Sequence, residues 1–166
     1  GLLTPKGWSL LLQAVDQLSD DKGKSVTWFA FHANQDVNLL RTLSQKGLVP
    51  KSLEAKSSTI IAKNIEHAQD IFRNASLVVA MRLHAFILST VSQCPTVALS
   101  YDPKVEAAAQ TADAPWLDLA HLPSHERIIL QWSDCMSKIP SKSHLQNIQR
   151  QAYKHEQILK STLNDI

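Results

Sequence analysis

The sequence predicts an α/β domain on a parallel sheet, and three observations predict it. Short segments rich in β-branched and apolar residues alternate with segments whose apolar residues recur at helical spacing, the rhythm of βα units. The strand-like segments are apolar nearly throughout, as parallel strands covered on both faces are. Helix starts are marked by capping residues: Thr4 with Pro5, Asn34, Asn64, and Asp102 with Pro103.

Thr4 and Pro5 open a first helix in which Trp8, Leu11, Leu12, Val15 and Leu18 recur at helical spacing, and the run Ser19 to Gly23 closes it. Ser25 to His32 (SVTWFAFH) reads as a strand. Asn34 then caps a helix over QDVNLLRTLSQKG, with Asp36 in its first turn and Gly47 at its end. Pro50 to Lys56 reads as loop, Ser58 to Ala62 as a short strand, and Ile65 to Asn74 as a helix capped by Asn64. The central stretch follows: strand Leu77 to Ala80, helix Arg82 to Gln93, strand Thr96 to Ser100, and a helix from Pro103 to Ala112. The central helix is apolar almost all round, as a buried helix is. Asp113-Ala114-Pro115 is a turn, Trp116 to Leu119 a short edge strand, and Glu126 to Lys138 a helix. A last helix spans Leu145 to Leu163. Four or five parallel strands joined by right-handed crossovers place helices on both faces, a Rossmann-like architecture. Residues 1–140 make this domain. Residues 141–166 form a C-terminal helix whose apolar stripe (Leu145, Ile148, Ala152, Leu159 and Leu163) is expected to cross onto a further domain.

Composition excludes several classes. A length of 166 residues, 44% hydrophobic and 19% charged, is that of an ordinary globular domain with a real core. The net charge of +2 carries no basic stripe with interleaved aromatics, so no nucleic-acid partner is expected. No apolar run approaches the roughly 20 residues that span a bilayer. With no signal peptide visible either, the expectation is a cytoplasmic protein. Cys94 and Cys135 have no metal-ligand spacing and read as two buried free thiols. The chain starts at Gly1 directly before a capped helix and reads as cut from something larger.

The chemistry concentrates where the central strands end. Arg82, His84 and Lys104 emerge at the starts of two helices, on the sheet edge where open parallel sheets bind ligands. A helix start disfavours a cation, so Lys104 there suits a bound anion carrying phosphate or carboxylate. His84 is the candidate acid/base. A lone histidine on such a helix is ordinarily held by a backbone carbonyl, but Arg82 and Lys104 beside it favour a site. Arg82 would grip carboxylate or phosphate with its fork, against a plain surface ion pair. Gln35 and Asp36 sit on the turn after Ser25 to His32; Asp36 would orient a sugar hydroxyl or simply support its own helix. His32 faces the same edge by position. His121 and His125 read as loop residues, with no metal-ligand set around them. None of the four glycines lies in a phosphate-facing turn, so a dinucleotide fingerprint and a P-loop are both absent.

The residues MRLHAFI at Met81 to Ile87 and SYDPKV at Ser100 to Val105, with His84 and Lys104 at fixed separation, resemble the polysaccharide pyruvyl transferase family. They are most similar to its branch that pyruvylates cell-wall polymers anchoring surface-layer proteins. FAFHANQD at Phe29 to Asp36 and the ASLVVA strand agree with the resemblance, which runs from about Trp8 to Trp132 by the order of elements. It implies the C-terminal half of a two-domain enzyme of glycosyltransferase-B-like fold, the missing N-terminal half being its partner and the half alone inactive. The implied reaction moves pyruvate from phosphoenolpyruvate onto two hydroxyls of one sugar as a cyclic ketal, releasing phosphate. His84 and Lys104 would then be catalytic, and Arg82, Ser100, Tyr101, Gln35 and Asp36 would bind substrate. No cofactor and no metal is implied. The acceptor would be a sugar or polysaccharide precursor, and a lipid-linked one would bring the protein to a membrane surface peripherally. The rival readings are a glycosyltransferase half-domain binding a nucleotide-sugar and a non-catalytic α/β binding module.

Overall fold

A computed structural model describes residues 3–31 and 36–138. Their elements are α1 (Pro5–Asp21), β1 (Val26–Ala30), α2 (Leu39–Gln45), α3 (Lys51–Ala55), β2 (Ser57–Ile61), α4 (Ile65–Arg73), β3 (Val78–Ala80), α5 (Leu83–Val91), β4 (Thr96–Ser100), α6 (Pro103–Thr111), β5 (Trp116–Asp118) and α7 (His125–Ser137). Every strand pairing is parallel. The fold is α/β and Rossmann-like, its parallel strands flanked by helices. The strands form two small sheets, β1-β2 and β3-β4-β5, rather than one sheet of four or five. The chain divides into two compact units. The first comprises residues up to Ala62 with Pro123–Leu130, and the second Lys63–Leu122 with the residues from Gln131 on. The helix expected over 145–163 lies outside the described residues.

In the first unit, Thr4 caps α1 by accepting the Gly7 amide at 3.1 Å, and Pro5 takes the first helical position. Leu12, Leu43, Val49 and Leu53 form its core, with Trp8, Val15, Val26 and Trp28 packed around them. The segment read as loop at 50–56 contains α3. Pro50, with extended backbone, stands at its N-cap, and Leu53 is its one buried residue. Lys56 ties α1 to the start of β2, its Nζ lying 2.7 Å from Asp16 and also pairing with Asp20. Burial pushes the Asp16 carboxyl up, but the hydrogen bonds from Lys56 and Ser52 outweigh it and hold the group below its usual range.

In the second unit, β4 is buried along its whole length, as expected of a strand between two neighbours. Phe86 of α5 packs among Ala80 of β3, Ala98 of β4, and Val105 and Ala109 of α6. The hydroxyls of α5 and of its C-cap Ser92 bond back onto the helix. Ser89 and Thr90 donate to the Phe86 carbonyl at 3.0 and 2.7 Å, and Ser92 to that of Leu88 at 2.8 Å. Cys94 and Cys135 are both free and buried, as read from the sequence. Burial pushes the Cys94 thiol up to about 12, and the neighbouring Cys135 adds to the effect.

Four helices end in the same left-handed turn, and two do so without glycine. Gly23 and Gly47 take φ values of 60° and 68° after α1 and α2, while Gln93 and Asp113 take 62° and 48° after α5 and α6. After α5 the Gln93 amide bonds the Thr90 carbonyl and the Cys94 amide bonds the Ser89 carbonyl, the paired bonds of a Schellman end. An L side chain at such a φ costs about 1–2 kcal/mol, while glycine's greater freedom in the unfolded chain returns about 0.4–1 of it. Gln93→Gly is therefore expected to stabilise the protein by about 0.5–1 kcal/mol, read from the denaturation midpoint. An unchanged or lowered midpoint would show that the exposed Gln93 side chain makes a compensating contact.

Candidate functional site

The second unit repeats one strand-to-helix turn on neighbouring strands. β3 ends at Ala80, Arg82 is the N-cap of α5 and His84 its second residue. β4 ends at Ser100, Asp102 is the N-cap of α6 and Lys104 its second residue. β3 and β4 are hydrogen-bonded neighbours with Ala80 opposite Ala98, so β4 outruns β3 by the two residues that separate Ala80 from Arg82. Parallel neighbours lie about 4.8 Å apart. The imidazole and the ammonium group therefore start from the same helical position on adjacent βα turns, with the Arg82 guanidinium one turn-step behind.

The two helix starts differ in their caps. Asp102 accepts the Lys104 amide on its own carboxylate at 2.8 Å. Arg82, in extended backbone, supplies no capping side-chain bond to α5. A helix end leaves amides that a side chain, water or a ligand must satisfy, and the macrodipole there favours a negative partner. Arg82 and His84 are half-buried and Lys104 is exposed. Ser100 is buried and its hydroxyl donates to the Asp102 carbonyl at 3.1 Å, so it shapes the turn that carries Lys104. Tyr101, on the same turn, is 44% exposed.

Gln35 and His32 lie outside the described residues. Asp36 belongs to the first unit and is itself helical, three residues ahead of α2; its Oδ2 accepts the Phe31 amide at 3.2 Å, just past the end of β1. Of the seven candidate residues, five (Arg82, His84, Ser100, Tyr101 and Lys104) thus gather at the carboxyl edge of one sheet. Among the described residues no three His, Cys, Asp or Glu side chains gather as metal ligands would.

The same edge holds a pair that the sequence reading passed over. β5 ends at Asp118, opposite Ser100 in register, and the Leu119 amide donates to the Ser100 carbonyl at 3.0 Å. Asp118 Oδ2 lies 2.8 Å from His121 Nδ1, and its Oδ1 accepts the Ala120 amide at 2.8 Å. The hydrogen bond with His121, then that from Ala120, holds the Asp118 carboxyl below its usual range. His121 had read as an isolated loop residue; an acid closing a strand three residues before a histidine was the signal available. His121 does lie in a loop, but His125 does not, since it is the first residue of α7.

Residues 3–103 match the sequence model of the polysaccharide pyruvyl transferase family. The chain belongs to that family. The match takes in more than half of the chain, including Arg82, His84, Ser100 and Tyr101, and stops one residue short of Lys104. No curated protein and no solved structure matches the chain. Membership of the family makes a transferase the general function. No described helix is long and apolar enough to cross a membrane.

Proposed function

We propose that this chain carries the donor-binding half of an enzyme that transfers pyruvate from phosphoenolpyruvate to a sugar as a cyclic ketal. The observation that supports it is the repeated turn: two adjacent parallel strands each deliver a protonatable or cationic side chain at the second position of the next helix, His84 behind Arg82 and Lys104 behind Asp102. Phosphoenolpyruvate is small and carries both a phosphate and a carboxylate. Two helix starts on neighbouring strands, with Arg82 and Lys104, suit its two anionic ends. The donor must also take a proton on its methylene carbon before a hydroxyl can add next to it. His84, at the start of α5 beside Arg82, is suited to give that proton. The acceptor is a sugar or polysaccharide precursor, which a lipid-linked form would hold at a membrane surface, and the setting is cytoplasmic.

Thermal stabilisation and calorimetry test the donor. Phosphoenolpyruvate is expected to bind and to raise the melting temperature, whereas uridine- and guanosine-diphosphate sugars are not. Because Lys104 is exposed, its pairing with the donor is screened, and Lys104→Ala is expected to weaken donor binding about tenfold rather than by the larger factors of buried pairs. Binding of a nucleotide-sugar without phosphoenolpyruvate would overturn the reading in favour of a glycosyltransferase half-domain. Unchanged donor affinity in Lys104→Ala would remove that lysine from the site.

A further inference from the structure

The donor groups rise from the turns after β3 and β4, which leaves the turn after β5 on the other side of β4. We propose that this third turn is the acceptor side of the site: His121 takes the proton from the attacking sugar hydroxyl, and Asp118 is the positioning residue that orients it. The inference rests on the pyruvyl-transfer reading above.

The geometry carries it in three steps. Asp118 is held at both oxygens, by the Ala120 amide and by His121, so the carboxylate has one orientation. An ionised carboxylate only accepts hydrogen bonds, so Nδ1 must carry the proton and Nε2 becomes the acceptor. His121 is 86% exposed, so the acceptor nitrogen belongs to a ring open to an incoming ligand. This is the arrangement in which a carboxylate fixes the tautomer of a histidine base. The second step is placement. Asp118 is opposite Ser100 in register, so the pair stands one strand spacing from the turn that carries Tyr101 and Lys104. The third concerns Tyr101 itself. Tyr101 is 44% exposed on the turn after β4, which lies between the turn that carries Arg82 and His84 and the turn that carries the Asp118–His121 pair. An exposed aromatic face next to polar groups suits the apolar face of a sugar ring. As a stabilising device the pair has little purpose, since exposed ion pairs contribute about 0–1 kcal/mol.

The step balances as follows. The sugar oxygen bonds to C2 of phosphoenolpyruvate while its proton passes to His121 Nε2. The electrons of the C2–C3 double bond take a proton at C3 from His84, giving a tetrahedral phospho-ketal. The bond from C2 to the phosphate oxygen then breaks, and phosphate leaves with the electron pair. A second hydroxyl of the same sugar forms the other C2–O bond and gives its proton to the departing phosphate. No redox partner is needed.

The test uses the complete protein, phosphoenolpyruvate, and a panel of p-nitrophenyl hexopyranosides with free 4,6-diols. His121→Ala is expected to lower kcat by about 10²–10³-fold with donor affinity and melting temperature unchanged, and added imidazole to restore part of the loss. Asp118→Asn should lower kcat less and leave donor binding untouched. A second measurement needs no turnover. On the protein loaded with phosphoenolpyruvate, the ring-proton resonance of His121, assigned with His121→Ala, is expected to move when the sugars are added. Wild-type turnover in His121→Ala overturns the proposal, as does a loss matched by weaker donor binding or a stationary resonance across the panel. A wild-type protein that does not bind phosphoenolpyruvate fails at the earlier step and overturns the pyruvyl-transfer reading itself.

Discussion

His84→Ala abolishes ketal formation in the complete enzyme while the protein stays folded: this is the largest functional effect expected. His84 is half-buried at the second position of α5, ahead of the buried Phe86 that anchors that helix. His84 is half-buried where Phe86 is 2% exposed, so the melting temperature should move less than in Phe86→Ala. The chemistry should respond steeply, because a positioned proton donor contributes about 10²–10⁴-fold to a rate. The measurement is phosphate released from phosphoenolpyruvate in the presence of sugar acceptor, set against donor affinity by calorimetry. A fall in turnover with donor binding kept assigns His84 to proton transfer. Equal loss of both assigns it to holding the phosphate, and retained turnover removes it from the reaction.

Phe86→Ala carries the largest expected effect on stability. The ring is 2% exposed, and the buried residues around it are Ala80, Ala98, Val105 and Ala109. Three of these four are alanines, whose short side chains cannot reach into the space a missing ring leaves. Deleting a buried phenyl ring costs about 3–5 kcal/mol, and the high end applies where neighbours cannot collapse. Chemical denaturation should show the midpoint shift. The same substitution should weaken phosphoenolpyruvate binding more than its distance in sequence from Lys104 suggests, because Phe86 packs β3, β4 and α6 together and so sets the spacing between the two cationic turns. A loss below about 1.5 kcal/mol would mean that the cluster repacks freely.

Much of this was legible in the residues. Thr4, Asn64 and Asp102 cap the helices they were expected to cap, each accepting an amide two or three residues on. Capping depends only on nearest neighbours in the chain, so it survives whatever the tertiary fold does. The strand Thr96–Ser100 stands with its expected bounds. The helix α3 was not legible, because five residues with one buried leucine contain no period to detect. Arg82 proved to be the N-cap of α5 rather than a residue of its first turn, with φ −97° and ψ 137°. A cationic residue is not a typical cap, so propensity alone misplaced the boundary. His121 reads in the sequence as a loop residue with no metal-ligand set around it, and the turn after the edge strand is what folds it onto Asp118.

The sequence by itself determined the order of the strands and of every described helix but α3, the buried thiols, and the motif pair that holds Arg82, His84 and Lys104; all of these follow from local spacing and composition. Only the tertiary structure decided that the strands divide between two parallel sheets, that Ala80 faces Ala98 and Ser100 faces Asp118, and hence that three turns share one edge. The reason is physical. Strand partners are joined by backbone hydrogen bonds between residues far apart in the chain, and every residue but proline offers the same donor and acceptor. Partner choice and register are therefore settled by how side chains pack, as Phe86 does among its alanines, and not by any pattern along the chain.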